Sequence, residues 1–467
     1  QPTSYVMAAL IKRCVYCSRL ILCNRSILSS LETCNNNIQK RFVKRKFPID
    51  QDKEKNLPVF QYPISSESDR LVYVWGLGEH GALGNQKQIN HRRKPPVYLQ
   101  RPMRHPIAAH FKVVDIASGY GFTIFAVDSK EKYKVFGCGI NSDSQIGYHA
   151  PRKDHPLGMV LVPAPVEIPF KSNSTKVTSV SAGRAHSLVL TDSEGVYSFG
   201  NNAYGQCGRK IVPSEDYEAS RIVHNIRHLG GYKITSIHCG QDHSLFITEK
   251  GEVYSCGWGA DGQTGLGHFK SEWSPKRVEG DILHENITKV TGTSDCVLAL
   301  NDKGEVFGWG NNEYRQLQSD GDNQQISIPL YLNKLKNKGR IIDVAAGGSF
   351  CLALNEEGGV FVWGYGLLGC GPSVERAIEP IQIPETLFGK NMFVEDSRVT
   401  KVACGMFHLA AVTNHCHLYT WGRNKYGNLG LGHLKDQSFP LKVAVGGAVV
   451  KVAPGVDHTV TLCKPFA

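Results

Sequence analysis

The chain of 467 residues carries 53 Lys and Arg against 42 Asp and Glu, a formal net charge of +11. Residues 1–50 hold nine of the basic residues and two acids, a net of +7, so the remaining 417 residues carry only +4. Such a balanced remainder does not indicate strong non-specific nucleic-acid binding. No run approaches the ~18–20 consecutive apolar residues that a bilayer span requires. We therefore expect no transmembrane segment and at most a peripheral membrane association.

The N-terminal segment has the composition of a targeting sequence. It begins QPTSYV, and we expect residues 1–6 to lie upstream of a natural start at Met7. The stretch that follows is basic, contains serine and has few acids, which is typical of a mitochondrial transit peptide. Arg19 and Arg25 interrupt the apolar core that a secretory signal would need. We predict a transit peptide over residues 1–46 and a location in the mitochondrial matrix, with a disordered basic tail as the alternative.

A polar, proline-punctuated linker is predicted over residues 47–70. Within it, residues 59–62 are a candidate edge strand for the first blade of the repeat structure described next. Of the fourteen cysteines, Cys14 and Cys17 form a CxxC without a second Cys/His pair at zinc-finger spacing, so no metal site is predicted. Other cysteines lie in repeated strand positions and are interpreted as small buried apolar residues; these are Cys239, Cys256 and Cys404.

Two sequence patterns alternate along the rest of the chain, each in seven copies. The first, Val-Tyr-x-Trp/Phe/Cys-Gly with some loose copies, ends at Gly76, Gly137, Gly200, Gly257, Gly310, Gly364 and Gly422. The second, Val-x-x-Val-x-x-Gly-x-x-His, has its glycine at Gly119, Gly183, Gly240, Gly292, Gly347, Gly405 and Gly455. Consecutive copies of the first pattern are 53 to 63 residues apart. A fixed unit at such a period indicates a solenoid, a propeller or an array.

The content of one unit selects among these architectures. Residues 234–267 (ITSIHCGQDHSLFITEKGEVYSCGWGADGQTGLG) contain short apolar strands, tight turns and a glycine-rich loop. Each unit has room for about four short strands and almost no helix, which favours a propeller blade. A single blade leaves a sheet face uncovered, so the blades must stack on one another. The sequence therefore predicts an all-β, seven-bladed β-propeller over residues 71–467, with the strand order at ring closure left open.

These repeats resemble those of the regulator-of-chromosome-condensation family from about Val72 to Leu462. Within the family, the stretch from Gly183 to His268 (beginning GRAHSLVLTDSEGVYSFGNNAYGQCGRK) is similar to the mitochondrial, guanine-nucleotide-exchange-factor-like members of animals. The resemblance implies a seven-bladed propeller that regulates a GTPase by binding it. It implies no cofactor and no bond chemistry. The exchange-wedge residues of the founding member do not match this chain by motif, so none is carried over.

The resemblance leaves two functions open. In the first, the protein is an exchange factor or regulator of a mitochondrial GTPase, namely the dynamin-like GTPase of inner-membrane fusion, with a peripheral association to that membrane. In the second, it is a non-catalytic scaffold for assembly of the mitochondrial large ribosomal subunit, binding its rRNA and assembly factors. A third hypothesis, a hydrolase that uses Asp242 or His243, conflicts with the repetition of the histidine around the ring.

The repeated histidines are predicted to be structural. They are His186, His243, His408 and His458, and the same position is assigned to Phe122, Asp295 and Phe350 in the other copies. A residue repeated around a ring serves the ring, and we expect hydrogen bonds between blades. No catalytic or metal-binding residue is predicted. The glycine-rich loops lack the following helix that a phosphate cradle requires.

Departures from the repeat are the predicted partner contacts, because loops on a rigid scaffold commonly carry binding residues. Basic residues cluster in two insertions, at 85–112 and 148–176, and one replaces a loop glycine in the fifth copy. The candidate contacts to a partner or to RNA are Arg92, Arg93, Lys94, Arg101, Arg104, Arg152, Lys153 and Arg315. A solvated charged loop is the alternative for the cluster at residues 92–94, which lacks interleaved aromatic residues.

Overall fold

A computed structural model describes residues 70–85, 98–150, 158–317 and 323–466. Seven antiparallel sheets of four or five strands account for the strands in these ranges. The innermost strands contact one another in a closed cycle, the last against the first. The structure confirms the all-β, seven-bladed propeller. Within the described ranges, only short helices interrupt the strands: α1 (Ile107–His110) and three 3₁₀ turns (Gly280–Ile282, Asn333–Leu335, Glu385–Phe388).

Each blade runs from an inner strand at the central channel to an outer strand at the rim. The inner strands are β3 (Lys112–Ser118), β7 (Val177–Ala182), β12 (Tyr232–Cys239), β16 (Ile287–Thr291), β20 (Ile341–Ala346), β24 (Val399–Cys404) and β28 (Ala448–Pro454). The second strands are β4 (Phe122–Asp128), β8 (His186–Thr191), β13 (His243–Thr248), β17 (Cys296–Asn301), β21 (Phe350–Asn355), β25 (His408–Thr413) and β29 (His458–Lys464). Numbering the blades from β3, these strands belong to blades 1 to 7 in order.

The third strands are β5 (Val135–Ile140), β9 (Val196–Gly200), β14 (Val253–Gly257), β18 (Val306–Asn311), β22 (Val360–Tyr365), β26 (Leu418–Gly422) and β1 (Leu71–Leu77). The outer strands are β6 (Met159–Pro165), β10 (His224–Ile226), β15 (Glu272–Arg277), β19 (Gln325–Tyr331), β23 (Arg376–Ile383), β27 (Gln437–Lys442) and β2 (Tyr98–Arg104). A short extra strand, β11 (His228–Leu229), pairs with β12 in blade 3.

Blade 7 closes the ring with strands from both ends of the described chain. Its order is β2–β1–β29–β28, and Tyr73 of β1 pairs with Thr461 of β29. The sequence repeat is therefore offset from the blade by two strands. The strand order at ring closure, which the sequence left open, is therefore set by β1 and β2 joining β28 and β29 in one sheet. The candidate edge strand at residues 59–62 lies outside the described residues.

In every blade, the last or second-last residue of the third strand is a glycine that faces the first residue of the second strand. At Gly257 φ is +113°, and a Cβ atom there would lie 2.5 Å from the carbonyl oxygen of Asp242. The predicted glycines occupy this position in six blades, but Gly137 does not. In blade 1 Gly139 pairs with Phe122 and has φ +113°. The motif was assigned two residues early because the sequence there reads Gly-Cys-Gly.

Buried side chains fill the space between neighbouring blades. Trp75, Trp309, Trp363 and Trp421 are all fully buried near the ends of third strands. All ten cysteines within the described ranges are free, and Cys239, Cys256 and Cys404 are buried as predicted. The Cys14–Cys17 pair lies outside those ranges. No helix in the described part of the chain is long and apolar enough to cross a membrane.

Candidate partner-binding face

Two sets of connections meet on one face of the propeller, which we call the loop face. They are the turns from inner to second strands and the connections from third to outer strands. Both lie at the same edge because each second strand begins opposite the end of a third strand, as His243 does opposite Gly257. The opposite, basal face carries the turns between second and third strands and the connections to the next blade.

The predicted basic contacts divide between described and undescribed residues. The clusters Arg92–Lys94 and Arg152–Lys153 lie outside the described residues. The strands that flank them are β1 and β2 in blade 7, and β5 and β6 in blade 1, so both segments connect third to outer strands. These are neighbouring blades of the ring.

Arg101 and Arg104 do not lie in an inserted loop, which corrects their assignment. Both belong to β2, the outer strand of blade 7. Every blade needs an outer strand, and part of each supposed insertion supplies it, as β6 does in blade 1. Arg101 is exposed and lies against Gly432 of the blade 6 loop, whose N–H donates to the carbonyl of Gln100 at 2.8 Å.

Arg315 lies on the loop face, in the connection of blade 4. Its φ is +57°, a left-handed conformation at a position where the equivalent turns have glycine. Its carbonyl accepts a hydrogen bond from Nζ of the buried Lys334 at 3.3 Å. The side chain is exposed. The backbone of Arg315 is therefore fixed in the turn while its side chain faces solvent.

The repeated histidines are buried at the start of their second strands. His186, His408 and His458 are buried, and each places Nε2 against a hydroxyl of the next blade, namely Ser244 at 3.0 Å, Thr459 at 2.8 Å and Thr123 at 2.9 Å. Burial lowers the pKa of His186, His243 and His408 to about 3 and that of His458 to about 4. They are neutral at physiological pH.

His243 departs from this pattern. Neither ring nitrogen has a hydrogen-bond partner among the described residues. The next blade has Val297, which follows the first residue of β17, at the position where a hydroxyl contacts each of the other three histidines. Asp242 binds Arg184 instead of the imidazole. The hydrolase hypothesis therefore has no assembled acid–base pair at Asp242 and His243.

In blade 4 the residue predicted at the histidine position is wrong. Cys296, not Asp295, occupies the histidine position, because Cys296 pairs with Gly310 as His243 pairs with Gly257. The turn of blade 4 has one extra residue, which shifts the register. Cys296 Sγ lies 3.8 Å from Cys351 Sγ of blade 5, the same blade-to-blade contact that the histidines make.

The centre of the loop face is closed by side chains from several blades. The Tyr120 hydroxyl of blade 1 donates to Gln241 Oε1 of blade 3 at 3.2 Å and lies 3.5 Å from Met406 Sδ of blade 6. Backbone bonds also join neighbouring turns: the N–H of Arg184 donates to the carbonyl of Gln241 at 2.9 Å. Tyr120 thus spans the mouth of the central channel and fixes the hub of the face.

Carboxylates surround this hub on the side of blades 1 to 4. Asp242 is buried and bound by the guanidinium of Arg184, with Nη2 to Oδ2 at 2.7 Å and Nε to Oδ1 at 3.0 Å. Burial, with the charge of Asp261, raises the pKa of Asp295 to about 6, although Gln263 donates to it at 2.7 Å. Asp143, in the connection of blade 1, accepts a hydrogen bond from Asn201. This group of four carboxylates therefore includes one, Asp242, that is paired with a guanidinium.

Aromatic side chains join the connections of neighbouring blades around this acidic hub. The rings of Tyr204 and Trp258 lie 4.5 Å apart between blades 2 and 3. Those of Tyr314 and Tyr365 stack at 5.2 Å between blades 4 and 5, and Tyr365 is 41% exposed. The Arg423 guanidinium lies 5.2 Å from the ring of the exposed Phe407. The face therefore presents pre-positioned aromatic and acidic groups.

Sequence reasoning missed this constellation. The signal present in the sequence is a tyrosine that follows Asn-x in the copies N-A-Y-G, N-E-Y-R and N-K-Y-G, at positions 204, 314 and 426. The long connection of blade 2, residues 201–223, was also missed. Its Arg221 guanidinium lies 4.0 Å from the ring of Tyr148 in blade 1. Such contacts join distant copies, so only the closed ring reveals them.

Comparisons with known proteins agree with this architecture. The family model described as "Regulator of chromosome condensation (RCC1) repeat" matches residues 71–126, 134–190, 193–247, 250–300, 303–354, 357–412 and 417–462. The mouse "RCC1-like G exchanging factor-like protein" is 47% identical over 425 residues, which cover 88% of this chain and 92% of the relative. The human protein of the same name is 46% identical, covering 88% and 90%.

A solved structure is similar over the same region. The crystal structure of human WBSCR16 matches with a TM-score of 0.79 and 46% identity, covering 84% of this chain and all of that one. The repeats, the sequence identity over most of both chains and the common architecture agree. The chain therefore belongs to the family of regulator of chromosome condensation (RCC1) repeat proteins and is similar to its G-exchanging-factor-like members.

Proposed function

We propose that this protein is a guanine nucleotide exchange factor, or a closely related regulator, that binds a GTPase through the loop face. The observation that carries the proposal is the 47% identity, over 88% of the chain, to a protein named as G exchanging factor-like. The loop face supports it with partly exposed aromatic side chains, which are the residues enriched at the energetic centres of protein interfaces.

Exchange requires no bond chemistry by this chain. A factor that binds the nucleotide-free GTPase more tightly than the nucleotide-bound form shifts the equilibrium toward nucleotide release. For that, the binding surface must be rigid, so that binding energy is not lost in ordering it. The hydrogen bonds of Tyr120 and the stacked pair Tyr314–Tyr365 supply that rigidity across separate blades.

The electrostatics of the hub favour a protein over RNA as the partner on this face. Arg184 pairs with Asp242, which lies near Asp143 and Asp295, and Asp261 lies near Asp295. These carboxylates would repel a phosphate backbone, whose binding depends on neutralisation by Lys and Arg. The alternative of a scaffold for the large ribosomal subunit depends on Arg92–Lys94 and Arg152–Lys153, outside the described residues.

We further propose that the GTPase is mitochondrial, and specifically the dynamin-like GTPase of inner-membrane fusion, reached from the matrix by a peripherally associated protein. The support for the location is the basic, acid-poor composition of residues 1–46. The choice of GTPase rests on the resemblance of the repeats to the mitochondrial members of the family. Import of a fluorescent fusion of these residues, compared with a fusion in which Arg19 and Arg25 are changed to Glu, tests the location. Cytosolic retention of the unaltered fusion would refute it.

The experiment that tests the partner is capture from a mitochondrial extract with protein from about residue 47 onward as bait, with bound proteins and RNA both identified. We expect a GTPase that is enriched when nucleotide is removed and released by added GTP. Recovery of large-subunit rRNA and assembly factors, indifferent to GTP and abolished by Arg92→Glu, Arg93→Glu and Lys94→Glu together, would instead support the scaffold.

A matched pair of variants locates the contact. Tyr365→Ala removes an aromatic side chain of the loop face, and we expect it to weaken GTPase capture by about tenfold or more. Phe393→Ala removes a side chain that is 87% exposed in the connection between β23 and β24, on the basal face. It should leave capture unchanged. Equal loss in both variants would contradict binding through the loop face.

A further inference from the structure

The central channel widens on the basal face into a cavity of about 460 Å³, which we call the basal funnel. Its charged lining consists of Arg70, Lys289, Asp343, Lys401 and Lys451. Except for Arg70, these residues come from inner strands, so rigid blades hold their backbones. The funnel lies on the opposite face from the proposed GTPase contact.

The charges of the funnel arise at one structurally equivalent position. Each inner strand has a bulge, and the residue after it points to the channel end on the basal side. Five blades have a charged residue there: Asp115, Lys289, Asp343, Lys401 and Lys451. The other two blades have serines at 179 and 236.

Two of the lysines are paired with carboxylates of the next blade. Lys451 Nζ lies 2.5 Å from Asp115 Oδ1, and Lys289 forms an ion pair with Asp343 Oδ1. Asp115 Oδ2 accepts the N–H of Val180 at 2.9 Å. Both carboxylates are therefore engaged by protein donors, so each pair is close to neutral.

Lys401 is the exception. Its Nζ donates to the carbonyl of Val450 at 2.8 Å, and no carboxylate among the described residues lies within ion-pair distance of it. The second oxygen of Asp343, the acid of the preceding blade, accepts the N–H of Val402 at 2.9 Å. In the lining of the same cavity, Arg70 Nη1 is buried without a hydrogen-bond partner among the described residues. The Lys401 ammonium and the Arg70 guanidinium, which line one cavity, thus have no ion-pair partner among the described residues.

The charge balance indicates the kind of ligand. Four cationic side chains against Asp115 and Asp343 leave a net of +2 at the funnel. His238 adds no charge, because burial lowers its pKa to about 4. Among the described residues, the remaining lining contains no aromatic ring on which a base or sugar ring would stack. A doubly charged oxyanion matches both features, and lysine ammonium groups are common phosphate ligands.

We propose that the basal funnel is a binding site for a phosphate group, held by Lys401 and Arg70 and oriented by the paired Lys289 and Lys451. The group belongs either to free phosphate or to a small phosphomonoester whose apolar part contacts Val402 and Val452 of the wall.

Calorimetric titration of the full chain tests this proposal. The probes are inorganic phosphate, glycerol phosphate and the dicarboxylate succinate at constant ionic strength. We expect one site for phosphate or glycerol phosphate, and tighter binding of the latter identifies a phosphomonoester as the ligand. Lys401→Met should weaken binding about tenfold, the loss of one charge-assisted hydrogen bond, and Lys401→Arg should retain it.

The matched control is Lys442→Met, which removes the same charge from the exposed outer strand of the same blade. It should change binding by less than about twofold, because exposed charges at a distance are screened by salt. Absence of phosphate binding by the unaltered chain would overturn the proposal. So would preference for succinate, or equal weakening by Lys401→Met and Lys442→Met. None of these outcomes bears on GTPase capture by the loop face.

Discussion

Replacement of Val297 by Thr should stabilise the propeller, because blade 7 already contains the arrangement that the substitution would create. There, Thr459 donates to the carbonyl of Asn428 at 2.8 Å and accepts from His408 Nε2 at 2.8 Å. The same carbonyl accepts Trp75 Nε1 at 2.8 Å. In blade 4 the Gln263 carbonyl accepts Trp309 Nε1 at 2.9 Å, but Val297 offers no hydroxyl.

The expected gain follows from the groups involved. A threonine at 297 has the branched shape of valine, so the packing of this fully buried side chain is kept. Its hydroxyl would donate to the Gln263 carbonyl and would give His243 Nε2 its missing acceptor. A typical intramolecular hydrogen bond contributes about 0.5–1.5 kcal/mol net, and burying the hydroxyl offsets part of two such bonds. We expect a net stabilisation of about 1 kcal/mol.

A double-mutant cycle with His243→Phe isolates the histidine contribution. Phenylalanine already occupies this position at Phe122 and Phe350, so the single variant should fold. Urea unfolding followed by tryptophan fluorescence measures all four proteins. The benefit of Val297→Thr should fall by about 0.5–1 kcal/mol when His243 is absent. Destabilisation by Val297→Thr in the presence of His243, or zero coupling, would refute the hydrogen-bond reasoning.

Two further predictions concern backbone geometry and pH. In urea unfolding, Gly257→Ala should destabilise the protein by at least about 2 kcal/mol more than Gly231→Ala. Both glycines have positive φ, but only at Gly257 would the added Cβ atom clash, lying 2.5 Å from the carbonyl oxygen of Asp242. Similar losses of stability in the two variants would contradict this close approach. The free energy of unfolding should be highest above about pH 6.5 and fall towards pH 4. Histidines in the unfolded chain bind protons near pH 6.5, whereas the buried His186, His243 and His408 bind them only near pH 3. His243→Phe should reduce that pH slope by up to about 1.4 kcal/mol per pH unit, and an unchanged slope would show that His243 is not the buried neutral group described here.

The repeat made the propeller predictable, whereas its local register was less so. Seven copies of two patterns suffice to predict blades, because only stacking covers their sheet faces. The predicted positions were wrong where a copy differs from the repeat by one or two residues: Gly137 was predicted in place of Gly139, and Asp295 in place of Cys296. Outer strands were also missed: β2, with the sequence YLQRPMR, has no clear alternation of apolar residues because it lies at the exposed rim.

The candidate site was less predictable than the fold. Insertions and basic residues indicated the connections between third and outer strands, and the flanking strands bring these connections to one face. The pair Tyr314–Tyr365 and the contact of Tyr120 with Gln241 join different copies of the repeat. Their proximity depends on how the blades close around the channel, which a linear pattern does not encode. The same holds for the charges of the basal funnel.

The most direct test of the central claim is the rate of GDP release from the captured GTPase, followed with a fluorescent GDP analogue in the presence of excess unlabelled GTP. We expect the protein to accelerate release, the Tyr365→Ala variant to lose most of the acceleration and the Phe393→Ala variant to retain it. A release rate that does not change on adding the protein, despite stable binding to the GTPase, would contradict exchange activity.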